Sequence, residues 1–166
     1  MRDQTYEVTP RRQIALLSSM FFIHGILIFL YFHFYGFTGN TALLIAYLVF
    51  FMLDALPTIV LHLQYLSANR HAILVVREQQ RTLSYTRDGE HLDYSFDDIE
   101  KILFVAGYGN GAWYSFSEYR YFVLVFKDGK AILITSLMIK YDKQILERTF
   151  GIQVKTKMRL IPLVRH

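Results

Sequence analysis

Two long apolar segments dominate the N-terminal part of the chain, and a short polar turn joins them. Residues 14–35 contain no Asp, Glu, Lys or Arg, and residues 42–65 contain a single charge, Asp54. At a helical rise of about 1.5 Å per residue, each segment is long enough to cross the hydrocarbon core of a bilayer. The intervening residues 36–41, GFTGNT, have the Gly and Asn content of a sharp turn. The pattern predicts an antiparallel helical hairpin that spans a membrane twice.

Beyond residue 70 the spacing of apolar residues changes from a helical pattern to an alternation of apolar and polar positions. Alternation predicts six short strands, over residues 72–77, 82–87, 91–96, 99–106, 119–126 and 130–135. Asp-Gly dipeptides at 88–89 and 128–129 are hairpin signals. Apolar residues at helical spacing then predict one amphipathic helix from about Met138 to Phe150, ending at Gly151. Two paths stay open for the tail 152–166: a last strand, or a segment against the membrane.

Basic residues flank the apolar segments and predict their orientation. Arg2, Arg11 and Arg12 precede the first segment, whereas the turn contains no Lys or Arg. The positive-inside rule therefore places both termini in the cytoplasm. The predicted organisation is a cytoplasmic N-terminal segment 1–13, a transmembrane hairpin 14–66 and a cytoplasmic domain 70–166. A cleaved signal peptide competes for the first segment, but the apolar run is too long and no small-residue cleavage site follows it.

Composition narrows the classes of protein that fit. Hydrophobic residues make up 53% of the chain and charged residues 19%, which suits a protein partly embedded in lipid. The sequence contains no cysteine, which excludes disulfides, thiol catalysis and cysteine metal sites. The net charge of +4 comes with basic residues beside the apolar segments. We interpret it as a topology and lipid-headgroup signal and not as a nucleic-acid footprint.

Three segments of the C-terminal domain resemble a known family. They are RTLSYTRDG at 81–89, YSFDDIEKI at 94–102 and FKDGK at 126–130. A hairpin that leads into a polar-polar-Ile-x-x-Ile strand resembles the bacterial membrane-anchored pleckstrin-homology-like (bPH) proteins. The resemblance implies an α+β membrane protein, with a two-helix hairpin followed by a PH-like antiparallel sheet or barrel capped by a C-terminal helix. It also implies the bacterial inner membrane and a recognition or scaffolding role without a reaction.

Asp54 lies near the middle of the second apolar segment, where a carboxylate is costly and needs a partner. In an antiparallel hairpin, residues equally far from the turn lie at the same depth in the membrane. His24 is therefore expected to lie at the depth of Asp54. Helical spacing places Thr58 and His62 on the same face as Asp54. The sequence therefore predicts a buried His24–Asp54 contact, within polar stripes of the two helices that face each other.

Three roles stay open for this intramembrane polar group. It could supply hydrogen bonds between the helices, dock another membrane subunit, or handle protons through a protonatable histidine. Two helices alone cannot enclose an aqueous path, so transport would require oligomerisation. Pro57 follows Asp54 closely and is expected to kink the second helix.

Aromatic side chains cluster in the glycine-rich residues 107–118. They are the only tryptophan of the chain, Trp113, together with Tyr108, Tyr114 and Phe116. An alternating meander would bring this loop to the membrane side of the domain. Three roles stay open: completion of a core, insertion at the headgroup level, or contact with a partner. The glycines at 107, 109 and 111 are no nucleotide fingerprint, because no helix start follows them.

Four arginines lie around the first hairpin of the domain: Arg70, Arg77, Arg81 and Arg87. Eukaryotic domains of similar fold hold inositol phosphates in this region, but the dense run of lysines and arginines is missing here. A solvated charged face therefore competes with attraction to anionic lipid headgroups. The sequence also contains no HExxH motif, no paired-histidine metal spacing and no nucleophile elbow. We expect no catalytic residue, no metal and no cofactor.

Two functions follow. The leading one is a non-enzymatic inner-membrane protein whose cytoplasmic PH-like domain recognises a protein partner or the membrane surface and organises a complex. The alternative is a small subunit of a membrane transporter or enzyme complex, with His24 and Asp54 in a buried polar site. The expected partners are the lipid bilayer, a protein or a second copy of the chain, and anionic lipid headgroups, but no nucleic acid.

Overall fold

A computed structural model of the chain describes residues 3–36, 39–107 and 115–164. It contains three helices, α1 (Pro10–Tyr35), α2 (Thr41–Asn69) and α3 (Lys143–Phe150). Its strands are β1 (Gln4–Glu7), β2 (Ala72–Arg77), β3 (Thr82–Arg87), β4 (Glu90–Ser95), β5 (Ile99–Gly107), β6 (Arg120–Phe126), β7 (Ala131–Thr135) and β8 (Val154–Arg159). Two short 3-10 helices, Phe96–Asp98 and Ser115–Glu118, precede β5 and β6.

The two predicted apolar helices are present, and local chemistry fixes their ends. The Thr9 side chain accepts a hydrogen bond from the Arg12 amide at the start of α1, and Asn40 caps α2 in the same way. Gly36 ends α1 at a φ of +59°, a conformation that favours glycine. Helix α2 continues through Pro57 and ends at Asn69, beyond the predicted apolar segment.

The strands form two four-stranded sheets. Sheet A has the order β1-β2-β3-β4, and sheet B has the order β7-β6-β5-β8. Neighbours pair antiparallel except for β5 and β8, which are parallel. Asp88 and Gly89 both have positive φ, 50° and +86°, as the tight turn between β3 and β4 requires. All six predicted strands are therefore present, with small shifts at their ends, and the tail forms a last strand.

The N-terminal segment does not stand apart from the domain, as the predicted boundaries 1–13 and 70–166 would have it. Strand β1 pairs with β2, from Gln4 opposite Val76 to Glu7 opposite Ile73. The hairpin α1–α2 is therefore inserted between the first two strands of one sheet. The segment QTYE gave no strand signal because only Tyr6 in it packs against the core.

Helix α3 is shorter than the sequence predicts. It begins at Lys143 because the Asp142 side chain accepts a hydrogen bond from the Ile145 amide and acts as its N-cap. Met138, assigned to the helix by its spacing, is a buried residue of the preceding turn. Leu146 and Phe150 of α3 enter the core between the two sheets and close one end of it.

Sheet B is buried on both faces, and this positions the hairpin. Along β5, Ile102 and Phe104 belong to the core between the sheets. Their neighbours Leu103 and Val105 face a second core on the opposite side of sheet B. The second core also contains Leu61 and Tyr65 of α2. The C-terminal half of α2 therefore covers the outer face of sheet B and makes hairpin and domain one body.

Candidate functional site

The inner face of α2 carries a row of buried polar side chains. They are Asp54, Thr58, His62, Tyr65 and Asn69, and each is at most 8% exposed. Successive members are three or four residues apart, so all lie on one side of the helix. We call these five residues the polar row.

Asp54 is the most densely bonded member of the polar row. Its Oδ2 lies 3.0 Å from His24 Nε2, which confirms the contact predicted from depth in the hairpin. The Ser115 amide donates to Oδ1 at 2.7 Å, and the Ser115 hydroxyl donates to Oδ2 at 2.7 Å. The carboxylate thus joins α1, α2 and the 3-10 helix Ser115–Glu118. No local pattern marks Ser115 as a partner of Asp54, because 61 residues separate the two.

His62, Tyr65 and Asn69 bond to the domain and not to the first helix, contrary to the prediction of two facing stripes. His62 Nδ1 lies 3.0 Å from the Tyr119 hydroxyl. The Tyr65 hydroxyl donates to the Pro162 carbonyl at 2.9 Å. The prediction failed because sheet B and its flanking segments, not α1, cover this part of α2.

Thr58 and Asn69 complete the row with backbone bonds. The Thr58 hydroxyl donates to the Asp54 carbonyl at 2.7 Å, one helical turn earlier. Asn69 donates to the Leu133 carbonyl and accepts from the Thr135 amide, both at 2.9 Å. Asn69 thereby pairs with the backbone of β7 as another strand would, and it ties the end of α2 to sheet B.

The geometry around Asp54 suits a structural junction and not a nucleophile. In a catalytic serine arrangement an imidazole accepts the hydroxyl proton, whereas the Ser115 hydroxyl donates to the carboxylate itself. The second imidazole nitrogen, His24 Nδ1, is buried without a hydrogen-bond partner in the described part of the chain. His24 is packed among aromatic rings, with the Phe51 centroid 4.8 Å away. Functional roles for His24, Asp54, Thr58 and His62 stay predictions.

The outward faces of α1 and α2 are apolar and exposed over most of their length. Large exposed side chains run from Ile14 to Phe34 on α1 and from Leu43 to Leu63 on α2. Both helices are long and apolar enough to cross a membrane. Only 11% and 17% of their most apolar stretches are buried, whereas a core helix of a soluble protein would be mostly buried. An exposed apolar surface of this extent is typical of a site that contacts a membrane or another protein.

Comparison with known proteins identifies the domain. A family model described as PH domain matches residues 5–146, from within β1 to within α3. The chain belongs to the PH domain family. The match covers the hairpin, sheet A from its second residue onward and sheet B without β8. PH domains commonly bind lipids or proteins. No curated protein and no solved structure matches the chain.

The aromatic loop of the PH domain is described only in part. Tyr108, Trp113 and Tyr114 lie outside the described residues, so their predicted contact with a partner or a membrane stays a prediction. Phe116 is buried in the second core, beside Leu61 of α2. For this one residue the structure agrees with the interpretation that the aromatic side chain completes a core.

The arginines around the first hairpin of the PH domain are mostly paired. Arg77 Nε lies 3.4 Å from Asp3, Arg81 Nη2 lies 3.0 Å from Asp97, and Arg87 Nε lies 3.2 Å from Asp88; Arg70 is exposed at the end of α2. The neighbouring carboxylates neutralise much of their charge. Lipid binding by these four residues stays a prediction.

A second basic group, which the sequence analysis missed, lines a cavity of about 580 Å³ beside the start of α1. Its basic side chains are Arg11, Arg12, Arg120 and Lys140, and Glu118 is the one carboxylate in the lining. They come from three separate parts of the sequence, residues 11–12, 120 and 140, so no single local charge run marks the whole group. Only the packing of α1 against sheet B brings them together.

Proposed function

We propose that this PH domain protein is a non-enzymatic protein of the bacterial inner membrane. Its hairpin α1–α2 lies in the bilayer, and its PH domain recognises a protein partner or the membrane surface from the cytoplasm. One observation carries the proposal. The outward face of helix α2 is apolar and exposed, whereas its inward face from Asp54 to Asn69 is buried against the domain. A domain fixed in this way has a defined orientation to the membrane, as a scaffold requires.

Charge supports the orientation. Arg11 and Arg12 stand at the start of α1, and Arg70 follows the end of α2, at the end of the hairpin that bears the domain. The turn sequence at the opposite end carries no Lys or Arg. The positive-inside rule therefore supports a cytoplasmic PH domain and an external turn.

The alternative, a subunit with a proton-handling or ion-handling site at His24 and Asp54, has weaker support. Both oxygens of Asp54 accept hydrogen bonds from groups of the same chain. A carboxylate engaged in this way stabilises the fold and is not available to a substrate. We therefore assign Asp54 to the junction between the hairpin and the domain.

The absence of cysteine makes the proposed topology directly testable, since any introduced cysteine is the only thiol. Thr41, at the start of α2, and Lys155, on β8, are both exposed. In spheroplasts, a membrane-impermeant maleimide is expected to label Thr41→Cys without permeabilisation. It is expected to label Lys155→Cys only after permeabilisation, because that side chain faces the cytoplasm.

The natural, cysteine-free chain is the control for labelling, and extraction with alkaline carbonate is the control for insertion. We expect the protein to stay in the membrane pellet. Release by carbonate would refute membrane insertion. Labelling of both positions from the same side would refute a hairpin that spans the bilayer.

A further inference from the structure

The basic cavity beside α1 holds more positive charge than the described part of the chain neutralises. Arg120 Nη2 lies 3.5 Å from Glu118 Oε2, so this arginine has a counterion. Within residues 3–36, 39–107 and 115–164, no carboxylate lies within ion-pair distance of Arg11, Arg12 or Lys140. Three cations therefore line one cavity without a paired anion among the residues that the structure describes.

Of these three unpaired cations, Arg12 has the least access to water, since Arg11 and Lys140 are exposed. It is half-buried, and its Nε donates to the Ser136 carbonyl at 2.9 Å. A partly desolvated cation without a counterion is costly, and a bound anion would offset that cost.

One wall of the same cavity is apolar and belongs to α1. Ala15 and Leu16 form it, together with Ser19, whose Oγ is buried without a hydrogen-bond partner among the described residues. Helical spacing continues this wall toward Phe22 and Ile26, both exposed. The cations therefore lie at the end of the cavity where the apolar surface of α1 begins. From there the apolar wall continues along the helix. A phospholipid has the matching order of groups, an anionic phosphate followed by acyl chains.

We propose that this cavity binds an anionic phospholipid, with its phosphate held by Arg11, Arg12 and Lys140 and an acyl chain lying along Ala15 and Leu16. The proposal deepens the proposed function and rests on it, because a lipid reaches the cavity only if α1 lies in a bilayer. The site lies apart from the arginines around the first hairpin, whose charges are mostly paired.

The test is native mass spectrometry of the full chain, released from detergent that contains either phosphatidylglycerol or phosphatidylcholine. We expect retention of phosphatidylglycerol and little retention of phosphatidylcholine. The double variant Arg11→Gln/Lys140→Gln is expected to weaken phosphatidylglycerol binding by about tenfold or more, because two basic residues near the headgroup are lost. Both residues are exposed, and neither has an ion-pair partner in the described chain, so the variant is expected to fold.

The matched control is Lys101→Gln/Lys127→Gln. These lysines are also exposed and lie at the far end of β5 and β6. Equal loss of lipid in both double variants would overturn the proposal, since surface charge alone would then explain binding. Equal retention of the two lipids by the natural chain would overturn it as well. Displacement of the lipid by inorganic phosphate at millimolar concentration would also overturn it, in favour of a site for free phosphate.

Failure of this inference is distinguishable from failure of the proposed function. A chain that carbonate extraction leaves in the membrane, but that shows no preference for phosphatidylglycerol, loses only the lipid site. A chain that carbonate releases loses both, because no bilayer would then supply the ligand to α1.

Discussion

Replacement of Asp54 by alanine is expected to break the junction between the hairpin and the PH domain and to cost roughly 3–5 kcal/mol of unfolding free energy. The carboxylate accepts bonds from His24 Nε2, the Ser115 amide and the Ser115 hydroxyl, all of them buried. Each donor left without an acceptor costs about 1–3 kcal/mol. Thermal unfolding of the detergent-solubilised protein, followed by circular dichroism, should show a fall in the apparent Tm of roughly 10 °C.

Asp54→Asn is expected to be far milder. The asparagine oxygen can accept from the Ser115 amide, and its NH₂ group can donate to the Ser115 hydroxyl and to His24 in its other tautomer. If Asp54 serves the junction between the hairpin and the PH domain, the Asn variant therefore keeps most of the hydrogen bonds and the function of the protein. If Asp54 instead handled protons, the Asn variant would still fold but would lose activity, because an amide does not titrate. Equal loss of stability in the Ala and Asn variants would contradict the bonding that we describe.

The chain contains a matched control for this prediction. His91 and Asp93 form a pair of the same residue types at 2.9 Å, but both side chains are more than half exposed. Water can replace the lost bond there, so Asp93→Ala is expected to leave the apparent Tm unchanged. A comparable fall for Asp93→Ala would show that burial is not what makes the Asp54 junction strong.

The His24–Asp54 contact could be predicted from sequence because helix geometry is regular. Once the turn after Gly36 is located, depth in the hairpin follows from counting residues, and a buried carboxylate demands a partner at that depth. The strands after Arg70 could be predicted for a similar reason. Alternation and the Asp-Gly turns are local signals, so they survive without knowledge of tertiary contacts.

Hydrogen-bond partners that only tertiary packing brings together could not be predicted from the sequence. The spacing of His62 and Asn69 gives their face of α2 but does not say whether another helix or a sheet covers that face. Strand β1 is an edge strand with one core-facing residue, Tyr6, and so lacks a pattern. Arg12 and Lys140 meet only after α1 docks beside Ser136, which no local signal encodes.

Removal of the hairpin is expected to abolish folding of the PH domain. In a fragment of residues 70–164, the outer face of sheet B would lose its cover. The side chains exposed would include Val105, Phe116, Tyr119, Tyr121 and Leu137, all buried in the second core. Burial of a large apolar side chain stabilises by about 1.5–3 kcal/mol, so the combined loss approaches the roughly 5–15 kcal/mol that holds a typical domain together.

The matched fragment keeps residues 54–164, with the outward Leu56, Ile59, Val60 and Leu63 changed to glutamine. In both fragments residues 3–8 are rejoined through a flexible Gly/Ser linker, so that β1 is retained and only α2 differs. We expect dispersed amide resonances in the NMR spectrum of the longer fragment, because Tyr65 still packs in the second core and Asn69 still bonds to β7. The shorter fragment should aggregate or give a collapsed spectrum. A folded spectrum from residues 70–164 would mean that α2 is no part of the core. The domain would then not be fixed to the hairpin, and the defined orientation on which the proposed scaffold depends would be lost.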